Sequence, residues 1–390
     1  MLSSPTRASI QSHSRALAGA ILVSAFWLSS AATLVLFLMV HVSSQMGGNR
    51  DFVVYWATGR QLVQHHNPYD RVALALLEHA AGLPQKYSVG YTRNPPWALP
   101  LVYPLGFLSL RAAAILASLV LIAALVASVR ILLRIYGVGN VIVQALAYLF
   151  APALICLVWG QTSLLVLLGL ALFLRFHTER PFVAGAALWL CMLKPHLLLP
   201  LAVVLLAWIV ITRNYRILAG AAAALIASAA LTLLLDPQAF TQYAQMMSSS
   251  GYERDPIPAI SVLLRTRLTP NFMPLQFVPV AVATVWAIVY FWRRRRTWEW
   301  PRDGNLLLLV SLVASPYAYL NDHLIALPAI MYAASRTASR TFLAVIALAS
   351  AVLEVAFLVN KWSPAPFYWA TLLAAPLWLV WYGFAARRAA

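Results

Sequence analysis

The chain has 390 residues, of which 62 % are apolar and only 10 % charged. A soluble domain averages roughly half apolar and about a quarter charged, so a soluble globule, a disordered chain, a small disulfide scaffold and a coiled coil are excluded. Lipid is the main solvent of this chain. The net charge is +17, and the arginines fall between apolar blocks, where they mark membrane topology rather than nucleic-acid binding.

In chain order, Met1–Arg15 is polar and basic and predicts a cytoplasmic tail over 1–15. Ala16–Val42 is almost unbroken apolar, too long for a signal-peptide core of roughly 7–15 residues, and predicts an anchored first span. A long polar stretch over 43–97 then forms the first outer loop. Within it, Phe52, Tyr55, Trp56, Gly59, Leu62 and Val63 recur at helical spacing, which predicts an amphipathic helix over Asp51–Gln64 lying along the membrane surface. Asn67-Pro68-Tyr69-Asp70 is a turn signal, and Asp70 is the expected N-cap of a second helix over Arg71–Ala81. Pro95, Pro96 and Trp97 return the chain to the bilayer.

Further apolar blocks follow at Arg111–Arg134, Val141–Trp159, Leu164–Phe176, Phe182–Leu193, Leu197–Ile211, Ile217–Leu235, Met273–Trp292, Asn305–Tyr319, Leu324–Ala334, Thr341–Val359 and Phe367–Phe384. Together they predict an all-α integral membrane protein of about twelve transmembrane helices, a single polytopic domain over 16–390. A second large outer loop spans 236–272. Alternating from a cytoplasmic start, the short inner loops collect Arg130, Arg134, Arg175, Arg180, Arg213, Arg216, Arg293–Arg296, Arg302, Arg336 and Arg340. Short inner loops are where Lys and Arg accumulate, so both termini are expected inside.

With that topology the unusual polar residues gather outside. Asp51 reads either as a helix N-cap or as a general base kept ionised by the helix dipole; position alone favours the cap. Arg93 reads as a phosphate ligand or a lipid-headgroup contact. Lys194, between two apolar blocks and before the helix breaker Pro195, reads as a snorkelling side chain or as a cation in a polar cavity suited to an anionic headgroup. Asp322 and His323 form a mutually satisfied pair or bind phosphate. A metal site needs three or four converging ligands; Asp51, His196, Asp322 and His323 have room in the topology to converge, and no spacing requires it. Glu354 is expected to pair with a neighbouring helix, and Cys156 and Cys191 to be buried small hydrophobes. Walker, dinucleotide, GxSxG, HExxH and EF-hand patterns are absent.

A set of pieces in fixed order resembles glycosyltransferase family 87, polyprenol-phosphate-dependent enzymes of bacterial envelopes. They are Asp51-Phe52-Val53-Val54-Tyr55, Asn67-Pro68-Tyr69-Asp70, Asn94-Pro95-Pro96 with Tyr103-Pro104-Leu105, Gly160-Gln161, the Ala184-Gly185 to Lys194-Pro195 block, and Ser315-Pro316 with His323. The resemblance implies a lipid-dependent (GT-C) fold in the bacterial cytoplasmic membrane with its site on the extracytoplasmic face. It implies transfer of a hexose or pentose, mannose first, from a polyprenyl-phosphate donor to a glycolipid or glycan hydroxyl, with inversion. Asp51 becomes the expected base. Lys194 and His323, then His196 and Arg93, are the expected donor-phosphate ligands, and Tyr55, Asn94, Gln161 and Asp322 the expected substrate contacts. No cofactor is expected and no nucleic acid. A lipid-linked-sugar flippase or secondary transporter is the alternative, but no internal repeat supports it.

Overall fold

The computed structural model describes residues 7–42, 50–82, 92–249, 257–337, 339–360, 362 and 364–387. Parts of the expected tail and outer loops, at 1–6, 43–49, 83–91 and 250–256, lie outside the described residues. Those described are helical, with no strand among them. The helices are α1 (Arg7–Val42), α2 (Arg50–Val63), α3 (Arg71–Ala80), α4 (Leu99–Val102), α5 (Leu110–Tyr136), α6 (Val141–Tyr148), α7 (Ala151–Trp159), α8 (Ser163–Phe176) and α9 (Pro181–Cys191). They continue with α10 (Leu199–Thr212), α11 (Tyr215–Leu235), α12 (Ala239–Ser249), α13 (Ile260–Leu268), α14 (Val278–Arg294), α15 (Trp300–Ala314), α16 (Leu327–Arg336), α17 (Arg340–Val359) and α18 (Pro364–Arg387).

Seven described segments are long and apolar enough to cross a membrane: Val23–Val40, Leu110–Tyr136, Val141–Trp159, Tyr215–Leu235, Met273–Arg294, Arg340–Val359 and Pro364–Ala386. Three further apolar helices, α8, α9 and α10, have 10–17 residues. The chain is therefore a multi-pass membrane protein, but several of the twelve expected spans are short. The block expected as a span over Leu324–Ala334 divides into a 3-10 helix, Leu320–Ala326, and the ten-residue α16. At 1.5 Å per residue α16 is only about 15 Å long, half of a ~30 Å hydrocarbon layer. The first helix also differs from expectation, starting at Arg7 inside the stretch read as a tail. Once a long apolar helix is nucleated, each flanking residue extends it at little cost.

The two loop helices form where expected, within one residue at each end. Asp70 caps α3 by accepting from the N–H groups of Val72 (2.8 Å) and Ala73 (3.2 Å). The environment of α2 differs from expectation. It is covered on more than its apolar face: Phe52, Val53, Val54, Ala57, Thr58, Gln61 and Leu62 are all buried. The cause is the returning segment of short helical turns over Pro96–Ala98, α4 and Tyr103–Phe107, which covers its second face. Gly59 and Gly106 meet there with no space for a side chain: a Cβ on Gly59 would strike the Val102 carbonyl, and one on Gly106 the Gly59 carbonyl. Arg60 Nη1 donates to Gly106 O at 3.0 Å, Trp56 Nε1 donates to Leu108 O at 3.1 Å, and the Thr58 and Thr92 hydroxyls are hydrogen-bonded. Thus α2, which carries Asp51, is fixed by backbone contact rather than by apolar pressure alone.

Close packing recurs between α9 and α11, where Gly185 abuts the Ile217 carbonyl and Gly220 the Phe182 carbonyl. Small residues of this kind let helix backbones approach in a membrane, where apolar burial gives no drive. At one end of α15, Trp300 packs edge-on against Phe173, Trp208 and Trp298. Beside it the buried Asp303 pairs with Arg294 (3.2 Å) and Arg302 (2.8 Å). Glu354, inside α17, accepts from Ser30 of α1 at 3.2 Å, the interhelical partner expected of it.

Replacing Gly59 by alanine should destabilise the protein by about 3 kcal/mol, the upper range for overpacking, because backbone cannot yield. Gly139, with open space around its Cα, supplies the control. Thermal unfolding in detergent should drop for Gly59→Ala and stay unchanged for Gly139→Ala; equal melting points would refute the backbone contact.

Candidate functional site

Three chain breaks meet at one place. The first is between α7 and α8. Gly160 ends α7 in the left-handed region (φ 69°), a conformation that costs a side-chain-bearing residue strain. Gln161 N then donates back to Cys156 O at 2.8 Å, and Ser163 starts α8. The second break follows α9, where the chain leaves the helix at Lys194 before Pro195, a proline disfavouring helical backbone in the residue before it. The third is the 3-10 helix Leu320–Ala326, entered from α15 through Ser315–Tyr319.

Lys194 is the centre. Its Nζ lies 2.6 Å from Asp322 Oδ1, 2.9 Å from Gln161 Oε1 and 2.9 Å from Ser163 Oγ. An ammonium has three N–H donors, and all three are engaged. Asp322 is equally saturated. Its Oδ1 also accepts from Ser163 Oγ (2.9 Å) and Asn321 Nδ2 (3.1 Å), and its Oδ2 accepts from the Tyr319 N–H (2.9 Å). Side-chain exposure is 11 % for Lys194 and 2 % for Asp322, so the pair is buried. Burial opposes both charges. Attraction across the pair overrides it, carrying the Lys194 pKa above the ordinary lysine range and holding Asp322 below the ordinary carboxylate range.

Gln161 connects this pair to Asp51. Its Nε2 donates to Asp51 Oδ2 at 2.6 Å, and its Oε1 accepts from both Lys194 and the Tyr55 hydroxyl (3.4 Å). Burial pushes the Tyr55 pKa up to about 12, so the phenol keeps its proton and remains a donor. Asn94 and Thr162 lie beside the same hydroxyl. Asp51 itself is in the first turn of α2, where helix N–H groups favour a carboxylate.

The remaining expected residues are close but differently placed. Arg93 Nη1 donates to the Tyr319 hydroxyl at 3.2 Å. Tyr69 donates its hydroxyl to Asn94 O at 3.1 Å, tying the α3 turn to the returning segment. The His196 ring stacks on Tyr317 at 3.8 Å, and Ser315 Oγ donates to His196 O at 3.4 Å. Burial lowers the His196 pKa to about 3 and the His323 pKa to about 4. Burial thus favours the neutral form of both rings. His196 Nε2 and His323 Nδ1 are buried without a hydrogen-bond partner. No three His, Cys, Asp or Glu side chains converge as a metal-binding group among the described residues. Cys156 and Cys191 are buried free thiols.

The structure thus brings Asp51, Tyr55, Asn94, Gln161, Lys194 and Asp322 together and sets Arg93, His196 and His323 at the border. Two residues that the sequence did not single out, Ser163 and Asn321, complete the shell of Asp322. Their signal was proximity: each stands at a helix break within two residues of an expected site residue.

Removing one member of the buried pair should cost about 3–5 kcal/mol, whereas removing both leaves no orphan charge. Lys194→Met should lower the melting temperature sharply, and Lys194→Met with Asp322→Asn should recover most of the loss. The signs of the two pKa shifts set the pH dependence. The Asp322 contribution is complete above the ordinary aspartate pKa and is lost as pH falls; that of Lys194 is complete below the ordinary lysine pKa and is lost as pH rises. The margin of wild type over the double variant should be flat near neutrality and narrow as pH falls below about 4. A single variant as stable as the double one would show that the pair is not formed.

A model of glycosyltransferase family 87 matches residues 91–316. That range is more than half of the chain and contains Arg93, Asn94, Gln161, Lys194 and His196, while Asp51, Tyr55, Asp322 and His323 flank it. No curated protein and no solved structure matches the chain.

Proposed function

The chain belongs to glycosyltransferase family 87, and on that premise we propose that it moves a hexose or pentose, mannose first, from a polyprenyl-phosphate donor to a hydroxyl of a glycolipid or glycan. The observation that carries the proposal is the buried polar cluster of Asp51, Gln161, Lys194 and Asp322 at the ends of short apolar helices. That is where a lipid-linked sugar would present its head group.

Helix direction supports a reading of the sidedness. The site lies at the start of α8 and past the ends of α9 and α15. Their opposite ends carry Arg175, Arg180 and Arg302. Arginines gather on the cytoplasmic side, which supports an extracytoplasmic site in the cytoplasmic membrane, both termini inside. A GT-C architecture agrees with many helices and a catalytic first outer loop.

The chemistry is a single displacement. A sugar hydroxyl is a weak nucleophile, so a carboxylate must take its proton as the new bond forms, a step worth ~10²–10⁴-fold. Asp51 is the proposed base, and attack from the face opposite the phosphate inverts the anomeric carbon. The departing phosphate is already acidic and requires no general acid, unlike the two-carboxylate glycosidases. It requires positive charge and donors. Lys194 is already paired with Asp322, and Arg93 is proposed as a further cation near the phosphate. His196 and His323, whose neutral form burial favours, are proposed as N–H donors with room for a partner. Tyr55 and Asn94 are proposed sugar contacts. The carrier holds one phosphate, and no step is routed through a metal.

The test is transfer of labelled sugar from polyprenyl-phosphate donors, mannosyl and arabinosyl first, to crude envelope glycolipid by purified protein in nanodiscs. Wild type should transfer. Asp51→Asn should remain folded and fall by at least a hundredfold; retention of more than about a tenth of the rate would remove Asp51 as base. Arg93→Gln should raise the donor KM more than the acceptor KM, and an unchanged donor KM would exclude it from the phosphate. Donor binding with no transfer by wild type would favour a lipid-linked-sugar flippase.

A further inference from the structure

We propose that Gln161 is a positioning residue: its side-chain amide, locked in one orientation by the Lys194–Asp322 pair, holds the Asp51 carboxylate in its working geometry. The proposal rests on Asp51 being the base. It assigns Lys194 and Asp322 to the support of the site rather than to contact with substrate.

The argument is one of donor and acceptor logic. An amide has an oxygen that only accepts and a nitrogen that only donates. Lys194 Nζ has donors only, so the atom of Gln161 that faces it must be the oxygen, and the distance is 2.9 Å. Tyr55, kept protonated by burial, donates to the same oxygen. Two donors on Oε1 leave no choice for Nε2, which must point away, toward Asp51 Oδ2 at 2.6 Å. A flipped amide would set N–H against ammonium and oxygen against carboxylate. The orientation is thus fixed by charge on both sides rather than by packing.

The lock holds only if Lys194 cannot turn away. Asp322 opposes that turn, its carboxylate held in place by Ser163, Asn321 and the Tyr319 N–H. Ser163 starts α8 and Gln161 follows the left-handed Gly160, so the backbone sets both side chains from one turn. The series Asp322–Lys194–Gln161–Asp51 therefore transmits the position of three helix ends to one oxygen atom.

A shape-filling residue and a positioning residue respond differently to substitution. Gln161→Met keeps the volume and removes the donor. Gln161→Glu keeps the shape and the acceptor toward Lys194, but turns an oxygen toward Asp51. Both variants should lower kcat by about a hundredfold, the effect of losing near-attack geometry, with the KM for polyprenyl-phosphate mannose within about twofold of wild type. A kcat within threefold of wild type in either variant would overturn the proposal.

The second measurement does not depend on turnover. Full-length protein labelled with ¹³C-carboxyl aspartate is examined by infrared spectroscopy, and the carboxylate stretch lost in Asp51→Asn is assigned to Asp51. That band should move in Gln161→Met and also in Lys194→Met with Asp322→Asn, where the amide is freed without an orphan charge. A band that stays in place in Gln161→Met overturns positioning, even if kcat falls, because the loss then belongs to a direct substrate contact. If wild type transfers no sugar, the proposed reaction fails while the band still decides whether Gln161 orients Asp51.

Discussion

A lysine ammonium withdrawn from water at the end of a short apolar helix must be neutralised where it stands, and the arrangement around Lys194 follows from that requirement. The nearest carboxylate, Asp322, sits at 2.6 Å. Because a buried carboxylate in turn needs its remaining lone pairs filled, Ser163, Asn321 and the Tyr319 backbone are drawn in. The last ammonium proton fixes Gln161, and Gln161 fixes Asp51. A single desolvated charge thus specifies the positions of residues from four separate parts of the chain.

Such a centre is possible only where helices stop. Within a continuous span every backbone group is satisfied by its own helix, and side chains radiate toward lipid or toward neighbours. Here Gly160, Pro195 and the extended segment Ser315–Tyr319 interrupt three consecutive layers of the bundle at one level. The short helices α8, α9 and α16, which are poor membrane spans, are the structural cost of assembling a polar centre at their ends. On the opposite side, the Gly59–Gly106 contact presses α2 against the returning segment and brings Asp51 to the same place. The aromatic group around Trp300 and the Arg294–Asp303–Arg302 pairing close the far end of α15, so that polar clusters mark both ends of the bundle and apolar packing fills the length between.

The electrostatics separate residues that look alike in one dimension. Lys194, His196 and His323 are all potential cations. In the fold the charge of Lys194 is already matched, and burial favours the neutral form of the two histidines. Arg93 reaches the Tyr319 hydroxyl from the returning segment. The reading of the site consequently moves from a cluster of cations to one base, one ion-paired support and a rim of neutral donors.

Much of this protein was legible in one dimension. Composition alone fixes lipid as its solvent, because 62 % apolar content cannot be hidden in a core of this length. The α2 and α3 boundaries, the Asp70 cap and the breaks at Gly160 and Pro195 all follow from local rules of capping and turn chemistry. Membership of a glycosyltransferase family rests on the order of short motifs, itself a one-dimensional property. What the tertiary structure alone decided is pairing. Local rules state that Lys194 needs a partner, and they cannot state that it is Asp322, 128 residues away, or that Gln161 stands between Lys194 and Asp51. The burial of α2, read from its period as a surface helix, was likewise invisible, because the segment that covers it contributes backbone at Gly106 rather than a pattern of side chains. Periodicity reports which face of a helix is apolar; only the packed chain determines what lies against the other.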